Sequence, residues 1–278
     1  MNYLLRRRKL GATSCSEISR MSATGIRVVR NDNIPAGKAG VVFRWGCTST
    51  VDADVIVNNA ASIHRVSNKK DFRLLLDEHE LCPTTWGSLV AFHQDTSPRT
   101  WPMIVRPAQH AQGKNVLLCN NEQELEAACA RFPSYYIAEY IKKGAEYRVC
   151  VVQGRVAWVA NKIPDEPNAI AWNVARGGSF ENVRWDQWPL KACRIAVEAF
   201  NLSGLDFGGV DIMMKDGEAY VLEINSAPSL TSPYRQQCMA KCFDWIVTNG
   251  KSPLPVDSTR RGDWKKWAHP SLDERVWR

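Results

Sequence analysis

An α+β architecture is predicted by this chain, on three observations. Short apolar runs with strand composition are interspersed with stretches of helical spacing along all 278 residues. Two pairs of runs are joined by the turn dipeptides Gln153-Gly154 and Asp216-Gly217, a hairpin signature. Near the N-terminus the runs are instead separated by longer turn-rich segments, which suggests a small α/β unit with parallel strands.

Composition sets the outer limits. At 45% hydrophobic and 23% charged, the chain can bury a core and fits one or two globular domains. No apolar run approaches the roughly 18 residues that crossing a bilayer needs. Nine scattered cysteines with no C-x-x-C pair read as reduced thiols rather than a disulfide frame, so a cytoplasmic compartment is expected.

The elements follow in order. MNYLLRRRKLGATSCSEISR is basic and contains serine, so a transit peptide must be weighed; a secretory signal is not expected, since no apolar h-region follows Arg8. The favoured reading is a first helix from about Ser14 to Met21, leading into a strand Ile26–Arg30. Further strands are expected at Val41–Arg44 and Val55–Val57, closed by Arg44-Trp45-Gly46 and Asn58-Asn59, with loops that can carry function. A helix is predicted from Asn68 to Glu80, with Phe72, Leu75 and Leu76 at helical spacing and His79 as a fourth candidate. Then come strands Met103–Arg106 and Asn115–Cys119 and a helix Glu122–Arg131. A strand at Tyr136–Ile141 precedes the hairpin Tyr147–Val152 and Arg155–Asn161. A helix Trp188–Phe200, with Ala192, Ile195, Ala196 and Ala199 on one face, leads to a second hairpin, Gly209–Met214 and Ala219–Ile224. A last helix runs roughly Tyr234–Val247.

The second hairpin carries the chemistry. Glu223 and Asn225 are two residues apart and share one face of their strand. With a two-residue loop, Asp211 falls opposite Leu222 and points away from Glu223. With a three-residue loop Lys215-Asp216-Gly217, Asp211 becomes a same-face diagonal neighbour. The second arrangement offers two carboxylates and an amide oxygen to a hard cation such as magnesium, which is usually shared with substrate phosphates. The same residues would also suit a solvated edge hairpin.

Net charge is +7, much of it in Arg6–Lys9, Lys69–Arg73 and a tail carrying Arg260, Arg261, Lys265, Lys266, Arg275 and Arg278. Trp264, Trp267 and Trp277 interleave with the tail charges. That fits a nucleic-acid surface, or tryptophans packed on the body with their cations in water.

The run GGVDIMMKDGEAYVLEINSAPSL (Gly208 to Leu230) resembles the metal-binding end of the ATP-grasp superfamily, an Asp on one strand and Glu-x-Asn on the next, with Ser229 where Gly is common. Matches recur upstream in the order the superfamily requires. Pro102 to Leu118 is similar to its Val-Lys-Pro strand and glycine-rich phosphate loop, with Arg106 in place of the Lys and only Gly113, followed by Lys114, retained in the loop. Tyr136 to Ile163 looks like its hinge and hairpin. Ile170 to Phe180 resembles the Arg-x-Asn-x-x-Arg-Gly-Gly segment of peptide-forming members, such as the ligase that adds glutamate to a ribosomal protein, with Ala171 at the first Arg. The short N-terminal domain, ending in Arg-Trp-Gly, is similar to that of compact bacteriophage-encoded members.

The resemblance implies an ATP-grasp fold over 68–249 and, in outline only, a small α/β N-terminal domain over 1–67; the basic tail over 250–278 lies outside it. It also implies an ATP-dependent carboxylate–amine ligase of the type that includes D-alanine–D-alanine ligase. Asp211, Glu223 and Asn225 would hold magnesium or manganese. Glu139, Tyr140 and Ile141 would meet adenine and ribose, while Arg106, Gly113, Lys114, Lys162 and one of Lys69 or Lys70 would serve the phosphates. Arg148, Asn173 and Arg176 would assist the transfer to an amine acceptor: an amino acid, a peptide or a protein terminus. Two alternatives remain beside this one: the same fold with a non-amine acceptor, and a nucleic-acid-associated protein that uses its basic tail.

Overall fold

The chain opens with a strand, β1 (Asn2–Arg6), followed by α1 (Ala12–Met21), β2 (Ile26–Arg30), β3 (Ala39–Trp45) and β4 (Ala53–Val57). The computed structural model describes residues 1–8, 11–109, 115–166, 170, 172 and 177–272. The first four strands form a parallel sheet in the order β2-β1-β3-β4. Sequence reading places no strand before Ser14, yet β1 lies inside this sheet, with Leu4 in one apolar cluster and Leu5 in another. An interior parallel strand is covered on both faces, so adjacent leucines serve it and no alternation announces it. Gly11 enters α1 at φ 70°, where a Cβ would stand 2.6 Å from the Trp45 ring.

Two helices follow, α2 (Ala60–Ser67) and α3 (Lys69–Glu78), where the sequence predicts one. Asn59 and Asn68 cap them by accepting from the amides of Ser62 and Asp71. Phe72 and Leu76 of α3 are buried. His79 is not: it sits exposed at the C-cap with its ring on the Leu75 carbonyl. Buried Asn58 locks the end of β4 to the larger sheet, its Oδ1 accepting from the amides of Asp206 (2.7 Å) and Phe207 (3.0 Å).

Next come β5 (Thr85–Trp86), α4 (Leu89–Gln94), β6 (Met103–Pro107), β7 (Leu117–Cys119), α5 (Glu122–Cys129) and β8 (Tyr135–Glu139). They make an antiparallel sheet in the order β5-β8-β6-β7 with its own core around Phe92, Val105, Leu125 and Ile137.

The remaining elements are β9 (Ala145–Val152), β10 (Arg155–Ile163), β11 (Ser179–Asn182), α6 (Leu190–Ser203), β12 (Phe207–Lys215), β13 (Glu218–Asn225), α7 (Pro233–Asn249) and α8 (Asp263–Trp267). The strands form an antiparallel sheet in the order β11-β10-β9-β12-β13. Both hairpins turn on two residues of positive φ, Gln153 (49°) with Gly154 (74°) and Asp216 (50°) with Gly217 (80°), which suits the twist of the flanking strands. Helices cover both faces: Val149 and Val151 join the α6 cluster, while Cys150 and Val152 join that of α7. α7 is shared with the parallel sheet, its Phe243 stacked on Phe43 with centroids 4.1 Å apart. All nine cysteines are buried and free of disulfides.

The tail packs on the body through Trp264, 4.1 Å from Trp185 and 6.2 Å from Trp188 between ring centroids. Beyond it Ala268 bridges to Val156, and the buried His269 bonds Gln153 Oε1 at 3.1 Å. Trp277, Arg275 and Arg278 lie outside the described residues. Among the described residues no helix is long and apolar enough to cross a membrane.

Candidate active site

A cleft of ≈ 470 Å³ opens between the two antiparallel sheets. One wall comes from β6 and β8 with Ile104, Arg106, Tyr136, Ala138 and Glu139, continued by Tyr140 and Ile141. The other comes from β9, β10, β12 and β13 with Glu146, Arg148, Lys162, Asp211, Met213, Glu223 and Asn225. The hinge is fixed by backbone, the Glu139 amide on the Thr84 carbonyl at 3.0 Å and the Tyr140 amide on the Pro102 carbonyl at 3.4 Å.

The β12–β13 hairpin adopts neither register that the sequence offered. Its loop is the two-residue pair Asp216-Gly217, with Lys215 opposite Glu218, which by itself would put Asp211 opposite Leu222. A register shift intervenes: Ile212 pairs with Val221, and Asp211 with Glu223. Leu222 is the extra residue of a β-bulge, so Leu222 and Glu223 both reach the cleft and Asp211 faces Glu223 directly. Arg73 of α3, 7% exposed, donates Nη1 to the carbonyls of Val221 (2.9 Å) and Leu222 (3.0 Å) and so holds the bulge.

Opposite charges meet on the sheet. Arg148 grips Asp211 bidentately, Nε on Oδ1 at 2.7 Å and Nη2 on Oδ2 at 2.9 Å, and Lys162 Nζ shares Oδ2 at 2.7 Å. Lys162 also pairs with Glu146, as does Lys143. Burial pushes the Asp211 carboxyl up, but Arg148 and Lys162 outweigh it and hold the group well below the usual carboxylate range. Glu223 likewise ends below its ordinary value: burial raises it, while Lys69 and the Asn225 amide lower it more. For Lys143 burial wins and its ammonium is lowered.

Asn225 donates Nδ2 to Glu223 Oε1 at 3.0 Å, which leaves its amide oxygen as a third donor beside the two carboxylates. An all-oxygen set next to cationic side chains fits a hard divalent cation that is shared with an anionic ligand.

The other expected residues are distributed as follows. Lys69 donates Nζ to the Ile224 carbonyl at 2.9 Å, beneath the carboxylate end of β13, whereas the Lys70 side chain runs past Gly87. Gly113, Lys114, Asn173 and Arg176 lie outside the described residues. Sequence reasoning missed Arg73, Lys143, Glu146 and Phe180, all on the cleft wall. Glu146 had a signal, since it stands two residues before Arg148 and shares its strand face. Arg73 had none, because its role exists only once the bulge forms.

Comparisons with known proteins bear on the family and the fold. The RimK-like ATP-grasp domain matches residues 90–241. A probable alpha-L-glutamate ligase of Aeromonas salmonicida is 29% identical over 184 residues, 63% of this chain and 60% of that protein. The D-alanine–D-alanine ligase of Fusobacterium nucleatum is 31% identical over 140 residues, 47% of each. The chain thus spans less than two thirds of the length of these relatives. Among solved structures, a D-alanine–D-alanine ligase from Bacillus anthracis superposes with a TM-score of 0.61 at 16% identity, over 90% of this chain and 97% of that one, a likeness of fold. More than half of the chain falls within the matched domain, and the chain belongs to the RimK-like ATP-grasp family.

Proposed function

We propose that the protein is an ATP-dependent carboxylate–amine ligase acting through an acyl phosphate. The observation that carries this reading is buried Asp211 paired with half-buried Glu223 and set beside Arg148 and Lys162, in a cleft whose far wall is a partly apolar hinge. Ile104, Ala138, Met213 and Leu222 would take the adenine face, and Glu139 to Ile141 its edge and the ribose. Arg106, with Gly113 and Lys114, would close over the phosphates. Asp211, Glu223 and Asn225 would hold a magnesium or manganese ion, which supplies charge neutralisation at the phosphate oxygens.

The protein's own part is positioning and electrostatics. Arg148 and Lys162 sit where a γ-phosphoryl group would pass from ATP to a substrate carboxylate oxygen, giving ADP and the acyl phosphate. An amine nitrogen would then attack the acyl carbon, the C–O bond to phosphate would break, and inorganic phosphate and a proton would leave as the amide forms. Asn173 and Arg176 are assigned to the acceptor side of this step by the resemblance of their segment to peptide-forming members.

The test is release of ADP and phosphate from magnesium-ATP with pooled amino acids and short peptides. Wild type is expected to turn over in at least one pool, and Glu223→Gln to lose at least a hundredfold in that pool while keeping its thermal midpoint within a few degrees. Full turnover by Glu223→Gln refutes the metal assignment.

A further inference from the structure

The four-stranded antiparallel sheet has two faces. Ile104, Arg106, Tyr136 and Ala138 line the cleft. Met103, Val105 and Ile137 alternate with them and join Phe92 and Leu125 in the core under α4 and α5. These two helices therefore lie behind the cleft wall, and their side chains take no part in the cleft.

His93 stands in the last turn of α4, and Glu122 and Glu126 stand on successive turns of α5. One ligand atom from each lies within 4.8 Å of the other two. His93 Nδ1 and Glu122 Oε1 are 3.3 Å apart. Ligand atoms held about 2.1 Å from a tetrahedral zinc ion stand roughly 3.3 Å from one another. The first two are thus already spaced for such an ion. All three side chains are exposed, so Glu126 can close the remaining gap by a change of rotamer.

The charge pattern points the same way. The chain carries a net charge of +7, yet α5 holds Glu122, Glu124 and Glu126 and no lysine or arginine. Glu124 is committed to the helix entry, its Oε2 accepting from the Asn120 amide at 2.8 Å. Glu122 and Glu126 remain, four positions apart, a like-charge pair that weakens a helix. Among the described residues neither is paired with a lysine or an arginine, and His93 is the ion-pair partner of Glu122. A bound divalent cation would turn this repulsion into shared ligation.

A cavity of ≈ 340 Å³ opens beside His93 and Glu122, walled by Phe92, Ser97, Arg99 and Trp101. Its walls are held in place. Arg99 lies 4.2 Å over the Phe92 ring and donates to the carbonyls of Phe92 at 2.6 Å and Asp95 at 2.8 Å. Asp95 in turn accepts from Trp86 Nε1 at 2.8 Å.

We propose that His93, Glu122 and Glu126 form a zinc site that pins α4 to α5, with water completing the coordination on the cavity side. An imidazole nitrogen beside two carboxylates suits zinc, whereas magnesium and calcium take oxygen ligands. This site and the all-oxygen set of the cleft therefore select different ions. It stands apart from the ligase reading, since no cleft residue takes part.

The test is calorimetric titration of zinc chloride into the full chain after treatment with a chelator. Glu223→Gln serves as the background, so that the carboxylate pair of the cleft is broken. That chain is expected to bind one zinc ion, which excess magnesium does not displace. Adding Glu126→Gln, which keeps the side-chain shape, or His93→Gln is expected to weaken zinc binding at least tenfold. Neither change should lower the thermal midpoint in chelator, because both side chains are exposed. The proposal is overturned if the Glu223→Gln chain binds no zinc, if magnesium displaces the ion, or if both added substitutions leave the zinc affinity unchanged. Turnover of magnesium-ATP by wild type reports separately on the ligase reading, so failure of one is not mistaken for failure of the other.

Discussion

In the proposed ligase, Asp211 would serve two roles that compete. Both its oxygens are engaged by Arg148 and Lys162, the side chains best placed to meet phosphates. Entry of metal and nucleotide would exchange these contacts, Asp211 taking the cation while Arg148 and Lys162 turn to the anion, so the site keeps its charges paired in both states. The buried cluster also couples stability to pH. Asp211 is held below its unfolded value, so its contribution is fully present above the unfolded pKa of about 3.9 and is lost as pH falls through the lower folded value. Asp211→Asn takes the carboxylate from Arg148 and leaves buried Lys162 with Glu146 alone, and is expected to cost roughly 3–5 kcal/mol at neutral pH. Thermal melts of both proteins from pH 7 to pH 3 should keep that gap constant down to about pH 4 and narrow it below. A gap that closes between pH 7 and pH 5 would assign the coupling to another group.

The decisive element is the β12–β13 hairpin, which shows where sequence reading stops. The strands, the Asp-Gly turn and the shared face of Glu223 and Asn225 were all legible, because they depend on alternation and turn chemistry. The register was not. Turn length alone sends Asp211 to the wrong face or requires a longer loop, and the bulge at Leu222 depends on a partner 149 positions away in sequence, Arg73. Removing Arg73 uncovers two buried carbonyls, and Arg73→Met is therefore expected to lower stability by about 2–4 kcal/mol in denaturant titration. Because the bulge sets Glu223 opposite Asp211, the same variant should also weaken magnesium-ATP binding at least tenfold. Normal nucleotide affinity in a destabilised Arg73→Met would separate the bulge from the site. The parallel unit fared similarly: β2, β3 and β4 were visible as apolar runs, whereas β1 was concealed because only Leu4 and Leu5 mark it beside a run of arginines.

At the level of the molecule, three sheets share a small number of helices, and this sharing sets the cleft. α7 serves both the parallel sheet and the five-stranded sheet, while α2 and α3 pack below β13 on the opposite face with α6. The five-stranded sheet is thereby packed against helices on both sides and forms a floor against which the β5–β8 unit, with its separate core, forms the second wall. The order of motifs along the chain made the ATP-grasp fold legible. The packing of the tail was open, since the same basic and aromatic residues suit nucleic acid or a docked segment until Trp264 is seen against Trp185. In the reading proposed above, this floor would present a metal-dependent nucleotide site. Calorimetric titration of ATP with and without magnesium, into wild type and Asp211→Asn, tests it most directly. Wild type should bind at least tenfold more tightly with magnesium, and Asp211→Asn should lose that dependence while its metal-free affinity equals or exceeds that of wild type, Arg148 and Lys162 being released. Equal affinity of wild type with and without magnesium, or unchanged magnesium dependence in Asp211→Asn, would contradict the account.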